Sequence, residues 1–311
     1  MQTVTIENKE IRVEISTLGA ELQSFFDKRD GVEHMWKADT KFWPRKAPIL
    51  FPIVGESKDG KINVDGADYP MARHGFARNE HFAVVLGQRA KVILELNSDP
   101  GTLRQFPFDF KFRTTYELIE NQLLQSFEVV NTGVSNMGFQ LGGHPAFAVP
   151  FLEGENYDDF QIGFDSEFKL ERHLLTEDGL YSGDTRVLSE RASKIDLSYE
   201  LFEEDALVFK EIPPKQVWIQ NKNGGKKLVM DYAGFPHLGI WSVAGANYVC
   251  LEPWVGCADN ANQEADFFKK DSLIVLNSGE SYSNAFSIYL VNKQDQQQAH
   301  HPFDLTDLSI R

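Results

Sequence analysis

The chain has 311 residues, with 31 Lys+Arg against 46 Asp+Glu and a net charge of −15. That balance excludes a general nucleic-acid or anionic-membrane binder, since either needs a dense basic surface. Hydrophobic residues at 42% and charged residues at 25% describe a globular chain able to bury a core, and they exclude wholesale disorder.

Apolar residues recur mostly with period two, the signature of half-buried strands. Val4, Ile6, Ile11, Val13 and Ile15 alternate around Glu7-Asn8-Lys9-Glu10. Leu22 to Phe26 and Glu33 to Trp36 read as two strands joined by a turn at Asp30-Gly31. Ile62-Asn63-Val64, Asp65-Gly66, Ala67-Asp68-Tyr69 is the sharpest hairpin signal, because Asp-Gly accepts the positive φ values of a type I′ turn. Thr114 to Ile119 and Leu123 to Val130, around Glu120-Asn121-Gln122, predict a second hairpin. Val217-Trp218-Ile219 and Lys227 to Met230, around Asn221 to Gly225, predict a third. Ser287 to Val291 is a closing β-type run. Helical signals are weak: Glu200 to Phe209, after Ser198, and Asn262 to Lys270 each allow one or two turns. Neither supports a crossover helix, so a parallel α/β sheet is not expected. The 24 Phe, 9 Tyr and 5 Trp, beside 23 Gly and 13 Pro, fit the same β-rich, turn-rich picture.

No repeat emerges at a period of about 20 to 50 residues, and no low-complexity linker divides the chain; Gln294 to His301 is polar but near the end. The expectation is an all-β chain in one large antiparallel domain over residues 1–311. The alternative is two packed β domains with a boundary between Val149 and Asp165. Met1 to Glu7 lacks a basic segment followed by an apolar run, which predicts no secretory leader. No stretch approaches about 18 consecutive apolar residues. Cys250 and Cys257 are the sole cysteines, too few for a disulfide framework in a chain this long. A cytoplasmic location is the simplest expectation.

Several chemistries are missing from the sequence. There is no Walker A loop, no G-x-G-x-x-G and no G-x-S-x-G, so neither a standard nucleotide cradle nor the usual α/β-hydrolase nucleophile is expected. Cys250 and Cys257 have no second pair, and His74 and His81 have no ligand spacing, so no metal site is predicted. Three segments stand out: Pro70 to Asn79, where Arg73 and Arg78 flank His74; Gln140 to Phe147, where His144 lies between Gly142-Gly143 and Pro145; and Val249 to Trp254, where Glu252 follows an apolar run. Taken singly, each has a plain reading. The histidines are core-edge residues, the glycines shape turns, Glu252 forms a strand-end ion pair, and Trp218, Trp241 and Trp254 are core. Taken together, a carboxylate, two histidines in glycine-rich corners and several arginines suit proton transfer on a polar substrate.

These segments together resemble the aldose 1-epimerase (mutarotase) superfamily, in particular its shorter aldose epimerase-like branch, which is similar to the hexose-6-phosphate 1-epimerases. The resemblance covers nearly the whole chain. Its motifs are Phe42 to Gly55 (FWPRKAPILFPIVG), Arg73 to Arg78 (RHGFAR), Gly143 to Phe147 (GHPAF), Phe235 to Ser242 (FPHLGIWS) and Cys250 to Trp254 (CLEPW), in that order. It implies a large antiparallel β-sandwich, the supersandwich, with an open cleft. It implies an isomerase that interconverts α and β anomers of a hexose or hexose phosphate through the open-chain aldehyde, without a cofactor and without a metal. The family's catalytic base falls on Glu252 and its catalytic acid on His144; Arg73 and His74 fall on sugar-binding positions. Apolar neighbours Leu251, Pro253 and Trp254 lead us to expect a Glu252 pKa raised by desolvation. Members acting on free galactose carry Thr-Gln after the glutamate, whereas Pro253-Trp254 stands here, a departure that weakens the expectation of free galactose.

The stretch from Lys37 to Arg78 holds eight Lys+Arg and five Asp+Glu in a chain that is otherwise acidic. Arg45, Lys46 and Arg78 there are candidates for reading a phosphate, since arginine binds it bidentately. Asp231 and Trp254 complete the candidate substrate-binding set. The expected partner is a small sugar or sugar phosphate, with no nucleic acid and no membrane, bound by a monomer or homodimer. The competing reading is a non-catalytic carbohydrate-binding or regulatory module using the same cleft; the presence of both Glu252 and His144 favours the enzyme.

Overall fold

The computed structural model describes residues 2–264 and 266–292; the polar stretch from Gln294 to His301 lies outside them. Among the described residues the chain is strand throughout, joined by loops and short 3-10 turns, and no helix is long and apolar enough to cross a membrane. The all-β antiparallel architecture expected from the period-two pattern is what forms. A four-stranded antiparallel meander is made by Thr3–Glu7, Ile11–Ser16, Leu22–Asp27 and Val32–Glu33. It packs on a fifteen-stranded sheet.

The strands follow from local chemistry. Phe110–Ile119 alternates strictly between buried and half-buried positions, as does most of its hairpin partner Gln122–Asn131, because one face of the sheet meets the core and the other meets water. The turn between them is Glu120-Asn121, with Glu120 at φ 53°. The Asp65-Gly66 turn has φ 52° and 83°, the left-handed pair a type I′ hairpin needs. The phenylalanine content goes into one contiguous core: Phe51 stacks on Phe112 at 4.6 Å and meets Phe110 edge-on at 5.2 Å. The phenol deep in that region is matched on both sides, as Tyr116 Oη donates to the Ala20 carbonyl at 2.7 Å and accepts from Gln125 at 2.9 Å.

In the large sheet the strand order brings distant segments side by side. Ile49–Leu50 pairs with Leu141–Gly143, which pairs with Tyr248–Val255, followed by His237–Trp241, Leu207–Phe209, Phe160–Leu175, Gln216–Asn221, Lys227–Asp231 and Ser281–Val291, the last pairing with Gln122–Asn131. The later strands therefore form one block in this sheet, hydrogen-bonded on both sides to strands from before 149–165.

Two features differ from the sequence expectation. Phe160–Leu175 and Tyr181–Asp196 form a pair of 16-residue strands that the periodicity did not announce. Register shifts interrupt their ladder at several points, and each shift resets the alternation. Tyr181–Asp196 is also exposed along most of its length, so it carries no apolar face to read. The second difference is Glu200 to Phe209, which holds one 3-10 turn at Tyr199–Phe202 and then the buried strand Leu207–Phe209. Burial on the sheet overrides helix propensity there. Asn262 to Lys270 holds one 3-10 turn, Phe267–Lys269, capped by the Asp266 carboxylate.

Candidate active site

Tyr248–Val255 is buried along its whole length, and its two faces do different things. Val249, Leu251 and Val255 face the main core. Tyr248, Cys250, Glu252 and Trp254, two residues apart in turn, face the other way. There Glu252 and Trp254 line a cavity of about 470 Å³, a normal size for a small-molecule site.

His144 is brought to Glu252 by strand pairing. It sits in the break between Leu141–Gly143 and Ala146–Ala148, both paired with the strand of Glu252 through Gly142↔Trp254 and Ala146↔Cys250. The amide of Leu251 donates to the Pro145 carbonyl at 3.2 Å. The result is a 3.1 Å contact between His144 Nε2 and Glu252 Oε2 at the cavity wall. The glycines before His144 serve close packing: a Cβ on Gly142 would stand 2.6 Å from the Trp254 indole, and one on Gly143 would stand 2.9 Å from the Phe286 ring. From the other side a Cβ on Gly239 would stand 2.5 Å from the same indole. Trp254 thus lies between two backbones that only glycine allows so close.

His144 is enclosed by aromatic rings. Trp43 stacks on it with centroids 4.9 Å apart and planes 27° apart, while Trp241 and His74 meet it edge-on at 5.9 and 5.6 Å. Burial pushes the His144 imidazole down to about 3. Burial, and then the nearby Asp205 carboxylate, push the Glu252 carboxyl well up, the direction its apolar neighbours led us to expect. Both directions have one cause, the cost of charge in a poorly solvated place. Both shifts favour the uncharged forms of the two groups.

The Arg73–Arg78 segment lies across the cavity. His74 has φ 64°, and its Nδ1 accepts from the Gly55 amide at 3.1 Å, which leaves the ring proton on Nε2. A Cβ on the following Gly75 would collide with the Phe51 carbonyl at 2.2 Å. Arg73 pairs with Glu56 at 3.2 Å and also donates to the Asp178 carbonyl at 3.3 Å. Its guanidinium lies against Gly179 at the tip of the long hairpin, where a Cβ would stand 1.8 Å away. Arg78 donates to the Arg73 carbonyl at 2.7 Å. Burial, with Arg45 and Arg73 beside it, lowers Arg78 to about 10.

Of the residues singled out from the sequence, Glu252, His144, Arg73, His74, Arg78 and Trp254 line the same cavity. Two do not. Arg45 donates to the Arg78 carbonyl at 3.3 Å and to Asn79 Oδ1 at 2.7 Å, so its guanidinium braces the segment from behind. Asp231 is bound by Gln216 at 3.1 Å and the Ala233 amide at 3.2 Å, and four strands separate its own strand from that of Glu252. Asp205 and Glu56 supply cavity carboxylates besides Glu252. Asp205 was not singled out from the sequence. It sits at φ 70°, a conformation Asp tolerates better than most residues, inside an acidic run that reads as ordinary surface. Trp43, Glu56, Tyr181 and Trp241 also line the cavity; Trp43 lay within the Phe42 to Gly55 motif without an assigned role.

Residues 2–289 match the family model described as aldose 1-epimerase. The chromosomal protein LacX of Lactococcus lactis subsp. lactis is 31% identical over 270 residues, covering 84% of this chain and 90% of LacX. A galactose mutarotase related enzyme from Lactobacillus acidophilus superposes with a TM-score of 0.88 at 34% identity, covering 94% of this chain and 98% of that one. A galactose mutarotase-like protein from Lactobacillus casei gives a TM-score of 0.88 at 29% identity, covering 93% and 100%.

Proposed function

Because the chain belongs to the aldose 1-epimerase family, we propose that it interconverts the α and β anomers of a hexose by acid–base ring opening, with Glu252 as base and His144 as acid. The observation that carries this reading is the 3.1 Å contact between the two side chains on the wall of a cavity large enough for one sugar ring. In the ionised form of the pair, the Glu252 carboxylate takes the proton of the C1 hydroxyl. The electrons left on that oxygen form the carbonyl, the bond from C1 to the ring oxygen breaks, and His144 protonates the ring oxygen. Rotation about C1–C2 presents the other face of the aldehyde, and the same steps run backwards with roles exchanged. Only protons pass between protein and sugar, the bond from C1 to the ring oxygen is broken and re-formed, and the pair begins and ends with the same proton count, so the scheme consumes no cofactor.

His74 Nε2–H, Arg73, Arg78 and Asp205 are the groups we assign to the sugar hydroxyls. The Trp254 indole N–H is buried without a protein partner, as a donor kept for a ligand would be. The charge balance favours an unphosphorylated hexose over a hexose phosphate. The cationic Arg73 and Arg78 face the anionic Glu56 and Asp205 in one cavity, Arg73 is already paired, and Arg45 is turned away. We read the whole chain as one β-sandwich unit, since strands from both sides of 149–165 are hydrogen-bonded into one sheet.

The test is anomer-exchange NMR on glucose, galactose and their 6-phosphates. Exchange above the uncatalysed rate, lost in Glu252→Gln and His144→Ala, is the expected outcome, with free sugars preferred. Sugar binding without acceleration overturns the enzyme reading in favour of a carbohydrate-binding module.

A further inference from the structure

Cys250 plays no part in the proton transfers above, yet it lies in the same group of side chains. It precedes Glu252 by two residues on one strand, so both project to the same face. Its cross-strand partner Ala146 is two residues beyond His144 and too small to shield that imidazole. Ligand atoms of His144, Cys250 and Glu252 all lie within 4.8 Å of one another. All three residues are buried, at 7%, 0% and 2% exposure, and His144 Nδ1 has no hydrogen-bond partner.

We propose that His144, Cys250 and Glu252 form a binding site for a soft divalent cation, Zn2+ or Cd2+, and that its occupancy blocks the sugar cavity. Zinc bonds run about 2.3 Å to sulfur and about 2.0–2.2 Å to imidazole nitrogen and carboxylate oxygen. These lengths put neighbouring ligand atoms roughly 3–4 Å apart. The His144–Glu252 pair already stands at 3.1 Å, and closing the rest takes side-chain shifts of about 1 Å. Three protein ligands leave a fourth position facing the cavity, the arrangement of an open zinc site. A thiolate in the set selects thiophilic cations over Mg2+ or Ca2+.

The cation is held by a thiolate, a carboxylate and a neutral imidazole, so any proton on the thiol or carboxyl leaves to solvent as the cation enters, and two anionic ligands match its two charges. The bound cation then occupies the base and the acid together. Chain spacing could not announce this set, because His144 reaches the other two ligands only through sheet pairing. Cys257 is the internal control: it is buried in a different cluster, with Tyr181 and Ala258.

The experiment titrates the metal-free full chain with Cd2+ and follows thiolate-to-cadmium charge-transfer absorption in the ultraviolet, with anomer exchange measured in parallel. One equivalent should produce the band and abolish exchange, and EDTA should reverse both. Cys250→Ala, or Cys250→Ser should the alanine variant not fold, should keep exchange within about twofold and weaken Cd2+ about 100-fold or more, since a ligand is lost. Cys257→Ala should change neither. A band or an inhibition that persists unchanged in the Cys250 variants overturns the proposal. The absorption band needs no turnover, so it decides the site even if no sugar is epimerised.

Discussion

Two aromatic clusters, about equally buried, are built on opposite principles. Around Phe51 and Phe112 the rings are nearly all phenylalanine, and the one phenol there is hydrogen-bonded on both sides. Around His144 the rings are Trp43, Trp241 and an imidazole, and polar atoms are left over: His144 Nδ1, Trp254 Nε1 and Arg78 Nε are buried without partners. Unmatched polar atoms cost folding free energy. The first cluster leaves one hydroxyl unmatched, Thr114 Oγ1, whereas the second leaves three nitrogens on the wall of a cavity.

Substitutions that trade one property for the other test this contrast. The largest effects come from the two centres. Glu252→Gln and His144→Ala should each lower anomer exchange by about 10²–10⁴-fold while leaving the urea midpoint nearly unchanged. Phe112→Ala should do the reverse, costing about 3–5 kcal/mol of stability with exchange per folded molecule retained. If the catalytic variants unfold, or if Phe112→Ala abolishes exchange in molecules that remain folded, the two clusters are not separable in this way.

Asp27 extends the contrast to charge. It is fully buried but matched, receiving Arg29 Nε at 2.8 Å and Lys226 Nζ at 2.8 Å. Burial pushes its carboxyl up, but these partners outweigh it and hold the group well below the usual carboxylate range. Its folded pKa is depressed, so its stabilisation is present above the unfolded value near 4 and lost as pH falls below that. Asp27→Asn should therefore cost about 1.5–3 kcal/mol at pH 7, and the difference from wild type should shrink as the urea titration moves from pH 5 to pH 2. A difference independent of pH would point to packing instead.

Gly239→Ala comes next. A methyl group 2.5 Å from the Trp254 ring must displace the indole, at about 1–3 kcal/mol. The expected readout is about tenfold weaker sugar binding with kcat less affected. Asp231→Asn should have the smallest effect, exchange within about twofold, because that carboxylate lies away from the cavity; a large loss would mean that it reaches the sugar after all.

What the sequence made legible follows from how locally each feature is encoded. Asp65-Gly66 and the alternation from Phe110 to Asn131 declare their hairpins within a few residues. Phe160–Leu175 stayed hidden because its bulges break the alternation. The segments holding His144 and Glu252 stood out by composition, but their 3.1 Å contact depends on pairing between strands about a hundred residues apart, which no local pattern contains. Asp231 looked eligible and Asp205 did not, because order along the chain is a poor guide to order across the sheet.

The placement of Tyr248–Val255 also bears on how the protein is made. That strand supplies Glu252 and pairs with both short strands flanking His144. During synthesis His144 leaves the ribosome about a hundred residues ahead of Glu252 and of the ladder that aims the histidine. A nascent chain that stops short of Tyr248–Val255 therefore lacks both Glu252 and the strand pairing that positions His144.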